Sequence, residues 1–313
     1  MSDQFRPLSH GQLRLWLLDR LEPGSATYNI GRLLRLRGTL AEAALRSGLQ
    51  AVVARHEVLR TSFVEMEGEP LQVIAPTRSV ELAVVDLSGI ADGEAEALRR
   101  TQAEAQRPFD LTGDTLLRAT LLRLGPQEHL LLLVMHHIVT DAWSMSVFFE
   151  ELGHHYTASI TGRPAAVPDL RLQYGDFSRW QKEALRGPLL DRKIDYWRSR
   201  LAGMEPVLEL PTDRPRPAAR TPHGGVERVV FPPALRDRLK AVARDASATL
   251  FQTLLATFAV LLARYTGRDD IVVGSPTAGR RAITWRSSAR VRRSPSRRRR
   301  GSRFRPPPAP ARR

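Results

Sequence analysis

Apolar residues recur along the chain with two different periods, and the changes between them predict a protein of mixed helices and strands. A spacing of three to four residues indicates an amphipathic helix, whereas alternation or a short apolar run indicates a strand. Helices are predicted over residues 9–21, 39–56, 93–106, 145–160, 174–185, 190–201 and 249–265. Strands are predicted over residues 30–37, 61–67, 71–74, 82–86, 116–124, 129–135 and 270–274. This order of elements favours an α/β or α+β fold with mixed sheets.

Three of these elements carry more specific signals. Ser9-His10-Gly11-Gln12 and Thr39-Leu40-Ala41-Glu42 both match the capping box that opens a helix. The first of these helices is predicted to have an apolar face formed by Leu13, Trp16, Leu17 and Leu21. Residues 130–135 show no polar alternation, which predicts a strand buried on both faces.

Changes in composition divide the chain into three parts. We predict a first domain over residues 1–165, which carries the candidate chemistry, and a second over residues 166–280. The proline-bearing stretch at residues 163–168 is the predicted link. From Arg281 to Arg313 no apolar period appears and the residues are mainly Arg, Ser, Pro and Ala. Such a segment buries too little surface to offset its ordering entropy, so a disordered tail is predicted.

The net charge of +15 is concentrated at this end of the chain. Residues 280–313 hold 14 of the 48 basic residues and no acid, which leaves 34 basic residues against 33 acids elsewhere. A nearly neutral body does not predict a nucleic-acid-binding domain. We interpret the tail as an out-of-frame reading of GC-rich DNA. The alternative is a genuine basic tail that binds nucleic acid or other anions non-specifically.

Several classes of protein are excluded by composition. The chain has no cysteine, so a disulfide framework, a Cys-type zinc site and a thiol nucleophile are impossible. Arg14, Asp19 and Arg20 interrupt the apolar residues where a secretory signal would lie. The longest apolar runs, at residues 130–135 and 254–263, fall short of the roughly 18 residues that suggest a membrane span. We therefore expect a cytoplasmic protein without a membrane segment.

The strongest chemical signal lies between the predicted buried strand and the helix that follows it. His136, His137 and Asp141 stand there within six residues. His137 and Asp141 could be metal ligands, although no third ligand is visible, or the residues could form an inert hydrogen-bonded pair. In a third interpretation one histidine acts as a base or hydrogen-bond acceptor, and Asp141 forms an ion pair that fixes the loop. Nothing marks the nearby Ser144 as an activated nucleophile.

A second histidine pair, His154-His155, serves as an internal comparison. Ser159 stands four residues after His155, where the first pair has an aspartate, and the second pair lies inside a predicted helix. We expect it to be part of a polar helix face.

The segment MHHIVTDAWS at residues 135–144 resembles the His-His-x-x-x-Asp-Gly signature of condensation domains from nonribosomal peptide synthetases. Four further segments resemble motifs of that family in the same order. They are LSHGQLRLW at residues 8–16, RHEVLRTSF at 55–63, YGDFSRW at 174–180 and IVVGSPTAGR at 271–280. Five ordered motifs make the resemblance specific. The chain looks closest to the subclass whose donor ends in an L-residue.

The resemblance implies a chloramphenicol acetyltransferase-like fold of two lobes with a tunnel between them, and a second lobe that is incomplete here. A donor aminoacyl or peptidyl thioester on the phosphopantetheine of one carrier protein would meet an aminoacyl acceptor on another. The acceptor amine would attack the donor carbonyl, with His137 as the catalytic residue. No cofactor would be bound by the chain itself. Its partners would be the two carrier proteins and other synthetase modules.

The resemblance also implies supporting roles. His136 would be packed or bonded to backbone, and Asp141 would form an ion pair whose partner is Arg280. Arg60 and Asp176 would support the structure of the lobes. Ala142 departs from the signature, because it takes the place of the glycine. If that position needs a left-handed backbone, alanine costs roughly 1–2 kcal/mol. The alternatives to a condensation enzyme are an inactive remnant that only docks a carrier protein and a related O- or N-acyltransferase.

Overall fold

The computed structural model describes residues 5–113, 115–205, 207–215 and 227–275. These residues form two compact units, which run over residues 5–192 and 193–275. The predicted tail and Arg280 lie outside the described residues. The predicted boundary near residue 165 stays a prediction, although the helix that follows it packs against elements of the first unit.

The first unit contains seven strands and five complete helices among its described residues. The strands are β1 (Phe5–Pro7), β2 (Asn29–Arg37), β3 (Thr61–Met66), β4 (Glu69–Ile74), β5 (Leu82–Asp86), β6 (Leu117–Gly125) and β7 (Glu128–His136). The helices are α1 (His10–Leu21), α2 (Glu42–Arg55), α3 (Gly93–Gln106), α4 (Ala142–Thr161) and α5 (Tyr174–Ala184). A short 3-10 helix covers Glu57–Arg60, and α6 (Gly187–Leu201) spans the division between the units.

The strands form two sheets, and β7 lies inside the larger one. The smaller sheet has the order β1-β4-β3 and is antiparallel. The larger has the order β2-β7-β6-β5, in which only β5 and β6 run parallel. Along β7, residues from His129 to His136 are all buried, which confirms the prediction of a strand covered on both faces. Burying one leucine stabilises a fold by about 1.5–3 kcal/mol, so β7 anchors the segment that follows it.

Helix α1 confirms one prediction and corrects another. The Ser9 hydroxyl accepts from Gln12 N at 3.2 Å, and Gln12 Oε1 accepts from Ser9 N at 3.0 Å, so the capping box is formed. The predicted apolar face is wrong in part, since Leu17 is 49% and Leu21 76% exposed. Leu15 and Gln12 are buried instead. A buried glutamine lies on the inner side because its amide has partners there, which are described below.

The capping box predicted for α2 is wrong. The N-cap residue is Ala41, and no side chain caps the helix. Ala41 N instead donates to the Tyr156 hydroxyl of α4 at 3.1 Å. A group from a neighbouring helix therefore satisfies a backbone donor at the start of α2, where Thr39 was expected to supply the cap.

The second unit contains α7 (Pro233–Asp245) and α8 (Leu250–Thr266), which contact each other. Helix α8 was predicted, and it ends at Gly267, whose φ of 69° is left-handed. Helix α7 was missed, although a proline at its first turn is a usual start signal. The strand predicted over residues 270–274 is wrong, because residues 271–275 form no strand. A strand needs a pairing partner, and the described residues of this unit supply none.

No single helix among those described is long and apolar enough to cross a membrane. Helices α7 and α8 reach that length and hydropathy only as a pair, with a bend of 100° between them.

Candidate active site

The central strand of the larger sheet delivers the two histidines of the predicted site. His136 is the last residue of β7, and His137 begins the turn that leads to α4. The backbone N–H of His137 donates to Tyr28 O at 2.8 Å, just before β2 begins. His137 is half-buried, whereas Met135, His136 and Ile138 around it are buried. A rigid strand thus presents one accessible imidazole.

The hydrogen bond of the His137 ring determines which of its nitrogens carries the proton. Nδ1 lies 2.6 Å from Thr140 O. A carbonyl oxygen only accepts, so Nδ1 must be the donor and Nε2 of the neutral ring keeps its lone pair. The ring can therefore accept a proton, or a hydrogen bond from an amine, at Nε2. The bond to Thr140 O persists when the ring becomes charged and helps to hold its orientation.

His136 has a different environment. It is 2% exposed, and its Nδ1 accepts from Ile138 N at 3.2 Å. The rings of Tyr28 and Phe109 meet its imidazole edge-on, at centroid distances of 6.4 Å and 6.3 Å. Burial, with a smaller contribution from His137, lowers the pKa of His136 to about 4. His136 is therefore neutral at pH 7, and its geometry agrees with the packed role that the resemblance implies.

Asp141 caps the helix that follows the site. Its Oδ1 accepts from Ser144 N at 2.8 Å and from the Ser144 hydroxyl at 2.7 Å. Helix α4 therefore begins at Ala142, three residues before the predicted start. An aspartate N-cap typically contributes about 0.5–2 kcal/mol. The ion pair predicted between Asp141 and Arg280 stays a prediction, since Arg280 lies outside the described residues.

Ala142 fits its position without strain. It is the first residue of α4 and is exposed. Among the described residues, the non-glycine residues with positive φ are Glu67 and Ser247. The penalty expected for a left-handed Ala142 is therefore wrong, because a helical N1 position accepts alanine readily.

The third ligand that a metal site would need is not found near His137 and Asp141. Across the described part of the chain, no group of three or more histidine, aspartate or glutamate side chains is arranged to hold a metal ion.

Sequence reasoning missed a buried carboxylate on α4. Glu151 is 5% exposed, and it binds His56 Nε2 at 2.6 Å and Arg55 Nε at 3.2 Å. The pair His154-His155 lies on the same helix, and burial is the main cause that lowers the pKa of His155. The pair is thus not a plain polar face, because His155 faces this charged cluster. The motif that contains Arg55 and His56 fastens α2 to α4.

The first and fourth motifs meet in a second buried polar cluster. Gln12 Nε2 donates to Gln72 Oε1 at 3.0 Å, and Gln72 Nε2 donates to the Ser178 hydroxyl at 3.1 Å. The hydroxyls of Ser9 and Tyr174 lie 2.9 Å apart. Ser9, Gln12, Gln72 and Ser178 are each at most 2% exposed. These two motifs join α1, β4 and α5, so their contacts are structural.

The expected supporting residues Arg60 and Asp176 also make local contacts. Arg60 donates to Ala75 O and lies 3.6 Å from Glu57. Asp176 accepts from Gln173 N at 3.0 Å, which caps α5. Neither contact involves His137.

A mixed sheet whose inner strand presents a His-His-x-x-x-Asp turn defines an acyltransferase of the chloramphenicol acetyltransferase-like class. Within that class the chain belongs to the condensation-domain family, since the family model "Condensation domain" matches residues 2–291. Members of this family form peptide bonds in nonribosomal peptide synthesis. The predicted fold class and family are both confirmed.

Known relatives support this placement. The chain is 48% identical over 280 residues to a linear gramicidin synthase of Brevibacillus parabrevis, covering 89% of this chain and 4% of the relative. It is 43% identical over 276 residues to phosphinothricin tripeptide synthetase PhsC of Streptomyces viridochromogenes, covering 88% and 25%. The chain thus spans a small part of the curated relatives that it matches.

Two solved structures have a similar fold. The first condensation domain of the CDA synthetase matches with a TM-score of 0.73 and 28% identity, covering 86% of this chain and 64% of that chain. The X-domain from teicoplanin biosynthesis matches with a TM-score of 0.74 and 34% identity, covering 85% and 59%. The chain therefore spans about three fifths of these structures.

Proposed function

We propose that this chain catalyses amide-bond formation between two substrates held on carrier proteins, with His137 at the reacting centre. The donor is an aminoacyl or peptidyl thioester that ends in an L-residue, and the acceptor is an aminoacyl thioester with a free amine. Each substrate is held on the phosphopantetheine arm of its own carrier protein, and the chain itself supplies no cofactor. The observation that carries the proposal is the His137 ring, whose Nδ1–H is held by Thr140 O at 2.6 Å.

The proposed reaction needs few groups from the protein. An α-amine has a pKa of about 7.7–8.0, so an appreciable fraction is unprotonated at neutral pH. The amine nitrogen attacks the thioester carbon, the C–N bond forms and the C–S bond breaks. The amine gives up a proton to Nε2 of His137, and the released thiolate takes one up. Holding the two carriers' substrates together supplies much of the acceleration, because it converts a bimolecular step into an effectively unimolecular one.

The alternative is a chain that docks a carrier protein or another enzyme without turnover. One observation favours it, since a similar domain has been solved as "Complex of the X-domain and OxyB", with a TM-score of 0.71 and 34% identity to this chain. A domain of this fold can therefore serve as a binding partner. The two functions differ in whether a peptide product forms.

The test measures turnover and binding in the same preparation. Donor and acceptor carrier proteins are loaded with aminoacyl groups, and the dipeptidyl carrier is detected by mass spectrometry. We expect product with the natural chain and a loss on the order of 10²-fold or more with His137→Ala. His154→Ala is the matched control, because His154 lies on α4 outside the site. Carrier binding that is unchanged in His137→Ala, with no product from either protein, would favour docking alone.

A further inference from the structure

The segment between α3 and β6 covers the end of the sheet from which His136 emerges. Asn29 lies opposite His136 in the register of β2 and β7. Its Nδ2 donates to Ala105 O at 2.9 Å and to Arg107 O at 2.8 Å. The first residue of β2 therefore holds this segment beside the histidine from one side.

Arg118 of β6 holds the same segment from the other side. Its guanidinium donates to Pro108 O at 3.1 Å, to Glu104 O at 3.1 Å and to Arg107 O at 2.5 Å. Its Nε lies 2.5 Å from the Glu104 carboxylate, and its side chain is 13% exposed. These groups are fixed to one another by the planar geometry of a single side chain.

The Arg118 guanidinium also packs on the ring that contacts His136. Its central carbon lies 3.7 Å from the centroid of the Phe109 ring, a cation–π contact. Phe109 is 6% exposed, and its ring meets the His136 imidazole at an interplanar angle of 79°. Tyr28 contacts the same imidazole and accepts the backbone N–H of His137. A continuous set of contacts thus runs from Arg118 to His137.

We propose that Arg118 is a positioning residue for His137 and acts through Phe109 and His136. The inference rests on the function proposed for His137. Arg118 keeps the Phe109 ring against His136, and His136 accepts from Ile138 N at 3.2 Å to shape the turn. That turn brings Thr140 O to His137 Nδ1. Without the guanidinium, the ring of Phe109 loses its support and the turn gains freedom, so His137 samples other orientations and tautomers.

The side-chain nitrogens of histidine report this directly in ¹⁵N NMR spectra of the full chain. We expect His137 to show a single Nδ1–H tautomer in the natural chain and a mixture of tautomers in Arg118→Met. Arg118→Lys keeps the charge but not the planar set of donors, so an intermediate spectrum is expected. Arg123→Met is the matched control, because Arg123 lies on the same strand and binds Glu42 and Asp86 at the surface. It should leave the His137 signals unchanged.

The kinetic counterpart is the split between kcat and KM in the carrier-protein assay. A mispositioned His137 lowers kcat, on the order of 10- to 100-fold, while KM for the carriers changes little. Folded Arg118→Met with natural His137 signals and natural kcat would overturn the proposal. If Arg118→Met does not fold, Phe109→Leu decides, since it keeps much of the apolar volume but removes the ring. If His137→Ala leaves turnover intact, the proposed function fails, whereas the tautomer measurement still tests the positioning.

Discussion

The buried carboxylate of Glu151 makes a strong prediction about stability. Its side chain is 7% exposed and contacts Arg55 and His56, whose side chains are 17% and 20% exposed. In Glu151→Ala both basic groups lose their acceptor. Removing one partner of a fully buried pair costs about 3–5 kcal/mol.

The structure places the expected value below that range. Arg55 and His56 each keep about a fifth of their surface exposed, so water can replace part of the lost interaction. We therefore expect Glu151→Ala to lower the free energy of unfolding by about 2–3 kcal/mol. For a unit of this size that corresponds to a fall in Tm of roughly 4–12 °C.

The assay is thermal unfolding followed by circular dichroism at pH 7, with urea titration as a second method. Glu150→Ala is the control, because Glu150 precedes Glu151 on α4 and is exposed. The control should change the free energy of unfolding by less than about 0.5 kcal/mol. Equal melting temperatures for the two variants would refute the reasoning that Glu151 fastens α2 to α4.

Three further perturbations are expected to have measurable effects. Gln72→Leu leaves Gln12 without its buried acceptor, so urea unfolding should show a loss of about 1–3 kcal/mol; an unchanged midpoint would contradict this. Asp141→Ala removes the α4 N-cap, which should cost about 0.5–2 kcal/mol, and Asp141→Asn should restore most of it. The pKa of His136 is about 4 in the fold against an ordinary 6.5. Stability that is present above pH 6.5 should therefore fall by up to about 3 kcal/mol as the pH drops to 4, because only the unfolded state takes up the proton. His136→Asn should lack this component, and parallel pH profiles for the two proteins would contradict it.

Much of the fold could be predicted from local sequence, because its signals lie within single elements. The capping box of α1 needs only Ser9 and Gln12, and β7 is identified by its uninterrupted apolar run. The burial of Gln12 could not be predicted. Its partner Gln72 is 60 residues away, and the next hydroxyl of that cluster is a further 106 residues along the chain.

The site shows the same division between local and distant information. His136 and His137 could be identified from their spacing, whereas the proton position on His137 required the location of Thr140 O. The cap at Asp141 was predictable in principle, since Ser144 stands three residues later and both are polar residues common at helix starts. The contribution of Arg118 was not, because its contacts depend on how α3 lies against the sheet.

The central claim is that His137 promotes amide-bond formation between two carrier-bound substrates. The most direct measurement is a single-turnover experiment with a loaded donor carrier and a loaded acceptor carrier, in which the dipeptide on the acceptor is quantified over time. We predict that the natural chain and His154→Ala form it at similar rates, and that His137→Ala forms it on the order of 10²-fold more slowly or not at all. Product formation by His137→Ala at the natural rate would contradict the account.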